Sequence, residues 1–194
     1  MPRRKLRSQG EIVERCRALR SDVQAALGRL PGGSGDPAVV DAIWRGEALG
    51  TLLWAVQLAE LPPYDTAFEA EEVAGVDVNG AELREGDEIE LECESARLWH
   101  WRARTTELQA GGSLELPERY ATFDQLVAAT AMRGYEEGLL PPPLRGDFRA
   151  YGKVYRHLTP EQHGEAHSIA LERHHALNWL CGAGQSWDDV PLDT

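Results

Sequence analysis

The stretch from Ala38 to Leu61, "AVVDAIWRGEALGTLLWAVQLAEL", constrains the fold more than any other part of the chain. Asp36 and Pro37 open it in the cap-then-proline order of a helix start, and Pro62–Pro63 close it. On an ideal wheel of about 100° per residue the helix is apolar over most of its circumference, so it belongs in the middle of the fold, enclosed by other helices. Val40, Ile43, Trp54, Leu58 and Leu61 gather on one side, and Glu47 falls among them.

The rest of the chain supplies the enclosing helices. Ser8 with Glu11 three residues on makes a capping box, and Ile12, Cys16, Leu19, Val23 and Leu27 follow at helical spacing, which predicts a first helix over Gln9 to Leu27. "PGGSGDP" separates it from the central one. From Phe68 to Gly86 the sequence is acidic and irregular and reads as a solvated loop. A third helix is expected over about Asp87 to Leu108, and "QAGGS" and "LELPERY" form the next connection. A fourth helix runs from a Thr122/Gln125 capping box to Gly138 and the prolines 141 to 143. "LRGDFRAYGKVYRHL" has aromatics without helical period and forms a short hairpin or an ordered loop. Thr159, Pro160 and Gln162 start the last helix, and Gly182 caps its end. The class is mainly α: a single-domain helical bundle of about five main helices over residues 8–194, preceded by a basic arm over residues 1–7.

With 194 residues and 42% hydrophobic content the chain can bury one substantial core. Its 20 basic residues against 32 acidic ones give a net charge of −12, which disfavours nonspecific binding to nucleic acid or to an anionic membrane and suits a basic protein partner. The exception is "MPRRKLR", where Arg3, Arg4, Lys5 and Arg7 have no apolar segment behind them; this is no signal peptide, and a disordered solubilising tail is preferred to a nucleic-acid arm. No apolar run approaches the ~18 residues of a membrane span. Cys16, Cys93 and Cys181 are odd in number and unpaired in motif, so reduced, buried thiols in a cytoplasmic protein are expected.

The charged residues inside helices carry whatever chemistry there is. On the last helix Ala166, Ile169, Ala170, Ala176, Leu177 and Leu180 share a face, with Arg173 in its middle. An unpaired buried charge costs several kcal/mol, so the economical arrangement pairs Glu47 with Arg173, either to fix helix register or to line a cavity. His163 and His167, at i and i+4, have metal-ligand spacing, but His174 lies too far along the helix to join them, so a half-exposed polar face is favoured and no metal or cofactor is assigned. In "WHWRAR", Trp99 and Trp101 flank His100, with Arg102 and Arg104 following. Aromatics between cations can stack a base, but core tryptophans are commoner, and the acidic end, with Asp188, Asp189 and Asp193, offers those arginines an intramolecular latch. His174 and Asn178, one turn apart, form a polar ridge.

Four stretches occur in an order that resembles the bacterial family catalogued as domain of unknown function 4272: "WRGEALGTLLWAVQLAELPPYDT", "ARLWHWRART", "YEEGLLPPPLRGDFRAYGKVYRHLT", and "ALERHHALNWLCG" followed by "SWDDVPLDT". The match covers most of the chain after Ser8. It implies no activity. It does imply that Trp44, Glu47, Trp54, Trp99, His100, Arg102, Asp147, Glu172, Arg173, His174, Asn178, Trp187, Asp188 and Thr194 are family-type positions, and that the loop between Leu61 and Leu83 is where relatives differ most.

Two functional expectations follow. The leading one is a soluble, cytoplasmic protein that acts by binding, its partner a protein of basic character, as for an immunity or adaptor protein. The alternative is a small-molecule enzyme or ligand-binding protein with a polar inter-helix pocket, in which Glu47 and His174 are the catalytic candidates and Arg102, Arg173, Asn178 and His100 bind the ligand. A third, nucleic-acid contact through the basic arm, ranks below both.

Overall fold

The computed structural model describes residues 5–29, 36–112 and 116–194. Among them are six α-helices: α1 (Gln9–Leu27), α2 (Pro37–Ala55), α3 (Ala70–Gly75), α4 (Gly86–Ala110), α5 (Phe123–Glu136) and α6 (Pro160–Leu180). The strands β1 (Arg149–Ala150) and β2 (Lys153–Val154) make one small antiparallel hairpin, in register Arg149 with Val154, followed by a 3-10 turn over Tyr155–His157. The expected mainly α class holds. Residues 1–4 of the basic arm, the break at 30–35 and part of the connection at 113–115 lie outside the described residues.

Packing follows the sequence's own logic. α2 lies against α1 and α6, and α6 in turn against α4. From Gly46 to Ala55 every residue of α2 is buried, as a helix apolar all round requires. Its first half differs from the wheel: Val40 is 39% exposed and Ile43 half-buried, while Val39 turns inward. The helix also stops six residues short of the expected Leu61. Gln57 takes a positive φ of 59°, and the freed carbonyls find new partners on the segment after α3. Arg84 Nε donates to the Trp54 carbonyl at 2.7 Å, its backbone N–H to Ala55 at 2.9 Å, and the Glu82 N–H to Val56 at 3.1 Å.

The capping boxes at Ser8 and Thr159 form as expected. The one at Thr122 forms only by half, since Gln125 accepts the Ala121 N–H rather than that of Thr122. The segment after Phe68 departs from the solvated-loop expectation. It folds into α3, burying Val73 and Ala74, because α1 reaches over with Arg20 and Gln24 to donate to the Val76 and Ala74 carbonyls at 3.1 and 2.8 Å. The close approach of Phe68 to α2 depends on Gly50, where a Cβ would sit 2.4 Å from the ring.

The ends of the described chain are tied down. Arg7 donates to the carbonyls of Trp179 and Gly184 at 3.3 and 2.9 Å, so this part of the basic arm is anchored. Cys93 of α4 and Cys181, just beyond α6, form a disulfide, and Cys16 is free and buried. This corrects the expectation of three reduced thiols: the two residues are far apart in sequence, and the α4 and α6 packing brings them together. No described helix is long and apolar enough to cross a membrane.

Candidate functional site

The inward charges of α2 and α6 meet. Arg173 Nε donates to Glu47 Oε2 at 2.9 Å, with Arg173 fully buried and Glu47 2% exposed. The guanidinium does more than neutralise one carboxylate. Its terminal nitrogens donate to the carbonyls of Pro62 at 2.6 Å and Thr66 at 2.8 Å, and its plane lies over the Tyr64 ring at 4.9 Å. The other Glu47 oxygen accepts the Phe68 N–H. The pair therefore pins both ends of the 62–68 loop to the core, spending the donors of a planar fork on backbone that would otherwise go unsatisfied. Burial pushes the Glu47 carboxyl above the ordinary carboxylate range, while Arg173 and the Phe68 amide pull it back.

Arg102 is equally committed, and not to the acidic end of the chain. It holds Asp147 through two parallel hydrogen bonds, Nε to Oδ1 at 2.8 Å and the terminal nitrogen to Oδ2 at 2.9 Å, both side chains being buried. Asp147 also accepts the backbone N–H groups of Phe148 and Arg156, which fixes the start of the hairpin segment on α4. The expected latch between the acidic end and Arg102 is thus corrected: the last residues run instead over α6 and α1, where Trp187 meets His175, Trp179 and Arg15.

His100 and His174 form a third buried contact, Nδ1 to Nδ1 at 2.8 Å. Its proton can be placed. The Asn178 amide nitrogen lies 3.0 Å from the Pro191 carbonyl, which only accepts, and 2.9 Å from His174 Nε2. Asn178 donates to both, so His174 carries its proton on Nδ1 and donates it to His100. Burial, then the neighbouring His167 and Arg104, pushes His100 down to about 4. Four consecutive ionisable residues thereby point in four directions. Glu172, raised to about 7 mainly by burial, borders a recess of about 350 Å³ with Asp41, Trp44 and Arg45; Arg173 meets Glu47; His174 meets His100; and His175 Nε2 donates to the Trp187 carbonyl at 3.0 Å.

The six residues singled out from sequence are consequently split among separate networks: Glu47 with Arg173, Arg102 with Asp147, and His100 with His174 and Asn178. Of these six, His174 and Asn178 border a shallow cavity of about 410 Å³, together with Arg97 and Asp193. His163 packs edge-on against Tyr155, and His167 contacts Glu107 at 2.7 Å. Among the described residues no group of three or more His, Cys, Asp or Glu side chains is arranged to hold a metal ion.

A larger opening lies elsewhere, on the outer side of the pinned loop. A cleft of about 660 Å³, within the range of ligand sites, runs between the 60–65 loop, α4 and the 139–152 segment. Trp54, Tyr64 and Trp99 form its aromatic wall, with Tyr64 stacked on Trp99 at 5.2 Å and 9° between planes. Its charged groups are Glu60, Asp65 and Glu92 against Arg149. Tyr64 Oη donates to Glu92 Oε1 at 2.8 Å, and burial holds the Glu92 carboxyl above its usual range. Sequence reasoning missed this site, although Glu92, Ser95 and Trp99 share one stripe of α4 at helical spacing. The partner wall, Leu61 to Asp65, reads from sequence as a helix exit.

Comparison of the chain with protein-family models, with curated proteins and with solved structures finds no match in any of the three.

Proposed function

We propose that this chain is a non-catalytic binding protein whose partner is a basic protein, in the manner of an immunity or adaptor protein. One observation carries the reading: the residues that offered acid–base or anion-clamp chemistry are spent on one another and on backbone inside the bundle. What is left for a partner is the surface, and the surface carries the excess of a −12 chain. Such a charge speeds encounter with a basic protein and makes the complex salt-sensitive. The resemblance to domain of unknown function 4272 implies no activity and is compatible with this reading.

Affinity capture from the source organism with the full chain as bait tests it, run at about 50 mM and again at about 500 mM salt. The expected result is a basic protein retained at low salt and released at high salt. Recovery of no partner, or of an acidic one indifferent to salt, overturns the reading. A cytoplasmic location belongs to the same proposal. The Cys93–Cys181 bond stands against it, and alkylation of thiols in intact cells before lysis decides: all three cysteines labelled places the chain in a reducing compartment.

The second reading, a small-molecule enzyme or ligand-binding protein, is favoured by the 660 Å³ cleft, but through residues other than Glu47, Arg173, His174 and Arg102. Screening a metabolite set by thermal shift, with hits mapped to the cleft, tests it.

A further inference from the structure

The cleft has a chemical preference that its residues state together. Its walls are aromatic rings and prolines, with Trp99 and Tyr64 on one side and Pro62, Pro63 and Pro141 among the rest. Such walls take an apolar stem. Its carboxyls outnumber its guanidinium three to one, as Glu60, Asp65 and Glu92 face the cleft with Arg149. Glu60 and Arg149 are exposed at the rim, Asp65 is half-buried, and Glu92 is half-buried on α4 with Ser95 one turn on. A cation on an apolar stem satisfies both features, and an anion satisfies neither.

The geometry at Glu92 narrows the cation. Tyr64 Oη already occupies Oε1, and among the described residues no other hydrogen bond reaches this carboxylate. The oxygen without a partner is enough for a point-charge ammonium, whereas a guanidinium fork would have to share Oε1 with Tyr64. Asp65, whose Oδ2 already accepts the Tyr151 N–H, and Ser95 line the same cleft and leave an oxygen each for the further N–H donors of an ammonium group. Tyr64 itself is held between Trp99 on one face and the Arg173 guanidinium on the other, so the hydroxyl that occupies Oε1 is fixed in place by the buried network behind it.

We infer that the cleft binds a primary alkylammonium, with its stem along the Trp99 and proline walls and its ammonium on Glu92. This rests on the reading of the chain as a binding protein, and there the ammonium is a lysine side chain of the basic partner. The same chemistry occurs in free alkylamines.

The test uses the full chain and three probes: the peptide acetyl-Gly-Lys-Gly-amide, the same peptide with its lysine Nε-acetylated, and n-hexylamine. Titration is followed by the indole N–H signals of Trp54 and Trp99 and by calorimetry. The lysine peptide is expected to shift those two signals, with affinity at least tenfold above the acetylated peptide. Glu92→Gln is expected to lower affinity about tenfold. Arg149→Ala, an exposed change that leaves the fold alone, is expected to raise it two- to fivefold by removing the one like charge at the rim. Equal binding of the acetylated peptide, unchanged affinity in Glu92→Gln with the fold intact, or weaker binding in Arg149→Ala each overturns the assignment. So do shifts confined to indoles outside the cleft.

The two proposals fail separately. If n-hexylamine binds as the lysine peptide does and no protein partner is captured, the ammonium site stands and the protein-binding reading falls. If a basic partner is captured equally well by Glu92→Gln, that reading stands and this site falls.

Discussion

Arg173 serves five groups at once. It takes Glu47, the carbonyls of Pro62, Pro63 and Thr66, and the face of Tyr64, and it is fully buried while doing so. Replacing it with Met removes the partner of a buried carboxylate and leaves the loop carbonyls unpaired, a loss on the order of 3–5 kcal/mol in urea denaturation at pH 8. At pH 5 the same substitution is expected to cost less, because burial already favours the neutral form of Glu47, which then escapes the charge penalty by taking a proton. Glu47→Gln keeps one acceptor oxygen, for either Arg173 or the Phe68 N–H, and turns an amide N–H2 toward the other donor, so it is expected to cost about 1–3 kcal/mol. The double variant is expected to fall short of the sum by more than ~1 kcal/mol; additive losses would mean that the two side chains do not interact. That this pair forms was legible in the sequence, since each charge interrupts an apolar face and each lacks any other inward partner on its own helix. The loop it pins was not legible. Carbonyls at 62, 63 and 66 leave no trace in residue type.

At the scale of elements, the α4–α6 contact is polar at its centre and titrates. His100 takes its hydrogen bond from His174 in the neutral state, and burial lowers its pKa to about 4 from an ordinary value near 6.5. Between those values the unfolded chain binds the proton and the folded one does not. The contribution of this group is therefore whole above pH ~6.5 and is lost as pH falls toward 4, on the order of 2–3 kcal/mol. Glu47, Glu92 and Glu172, all raised by burial, act in the opposite sense, so the readout is the difference in stability against pH between the wild type and His100→Asn. The expected difference narrows as pH drops from 7 to 4, and a flat difference would show that His100 does not titrate below its ordinary range. Helix starts were the most readable elements, because caps are local: Ser8, Asp36 and Thr159 each do what their sequence contexts indicate. The early end of α2 and the existence of α3 were unreadable. Both depend on side chains from distant positions, Arg84 for the first and Arg20 with Gln24 for the second. The disulfide belongs with them: spacing says nothing about Cys93 and Cys181 until α4 lies on α6, and titration of the unreduced, denatured chain is expected to find one thiol, that of Cys16.

For the molecule as a whole, the two ends of the described chain close on the same corner of the bundle. The Arg7 N–H donates to the Leu180 carbonyl at 2.9 Å and its guanidinium lies 5.1 Å from the Trp179 ring. From the other end, Trp187 covers His175 at 4.4 Å and lies under Arg15 at 4.9 Å, while the Pro191 carbonyl holds Asn178. The last residues thus reach the histidine pair through Asn178, which orients His174. Removing residues 186–194 strips a buried tryptophan from the surface of α6, takes away the buried Val190 and frees one N–H of the Asn178 amide. The expected loss is on the order of 3–5 kcal/mol, the range for deleting one large buried side chain, read by denaturation followed through tryptophan fluorescence. A second readout separates a specific seat from a general loosening. His175 is lowered chiefly by burial, against the Trp187 carbonyl and Asp188, which raise it; burial is the larger effect, so in the truncated chain its pKa, followed by NMR, rises toward the ordinary imidazole value, while His163 beside Tyr155 keeps its own. Both histidines rising together would mean that the bundle as a whole has opened. Neither moving, with stability unchanged, would mean that the last residues do not sit on α6.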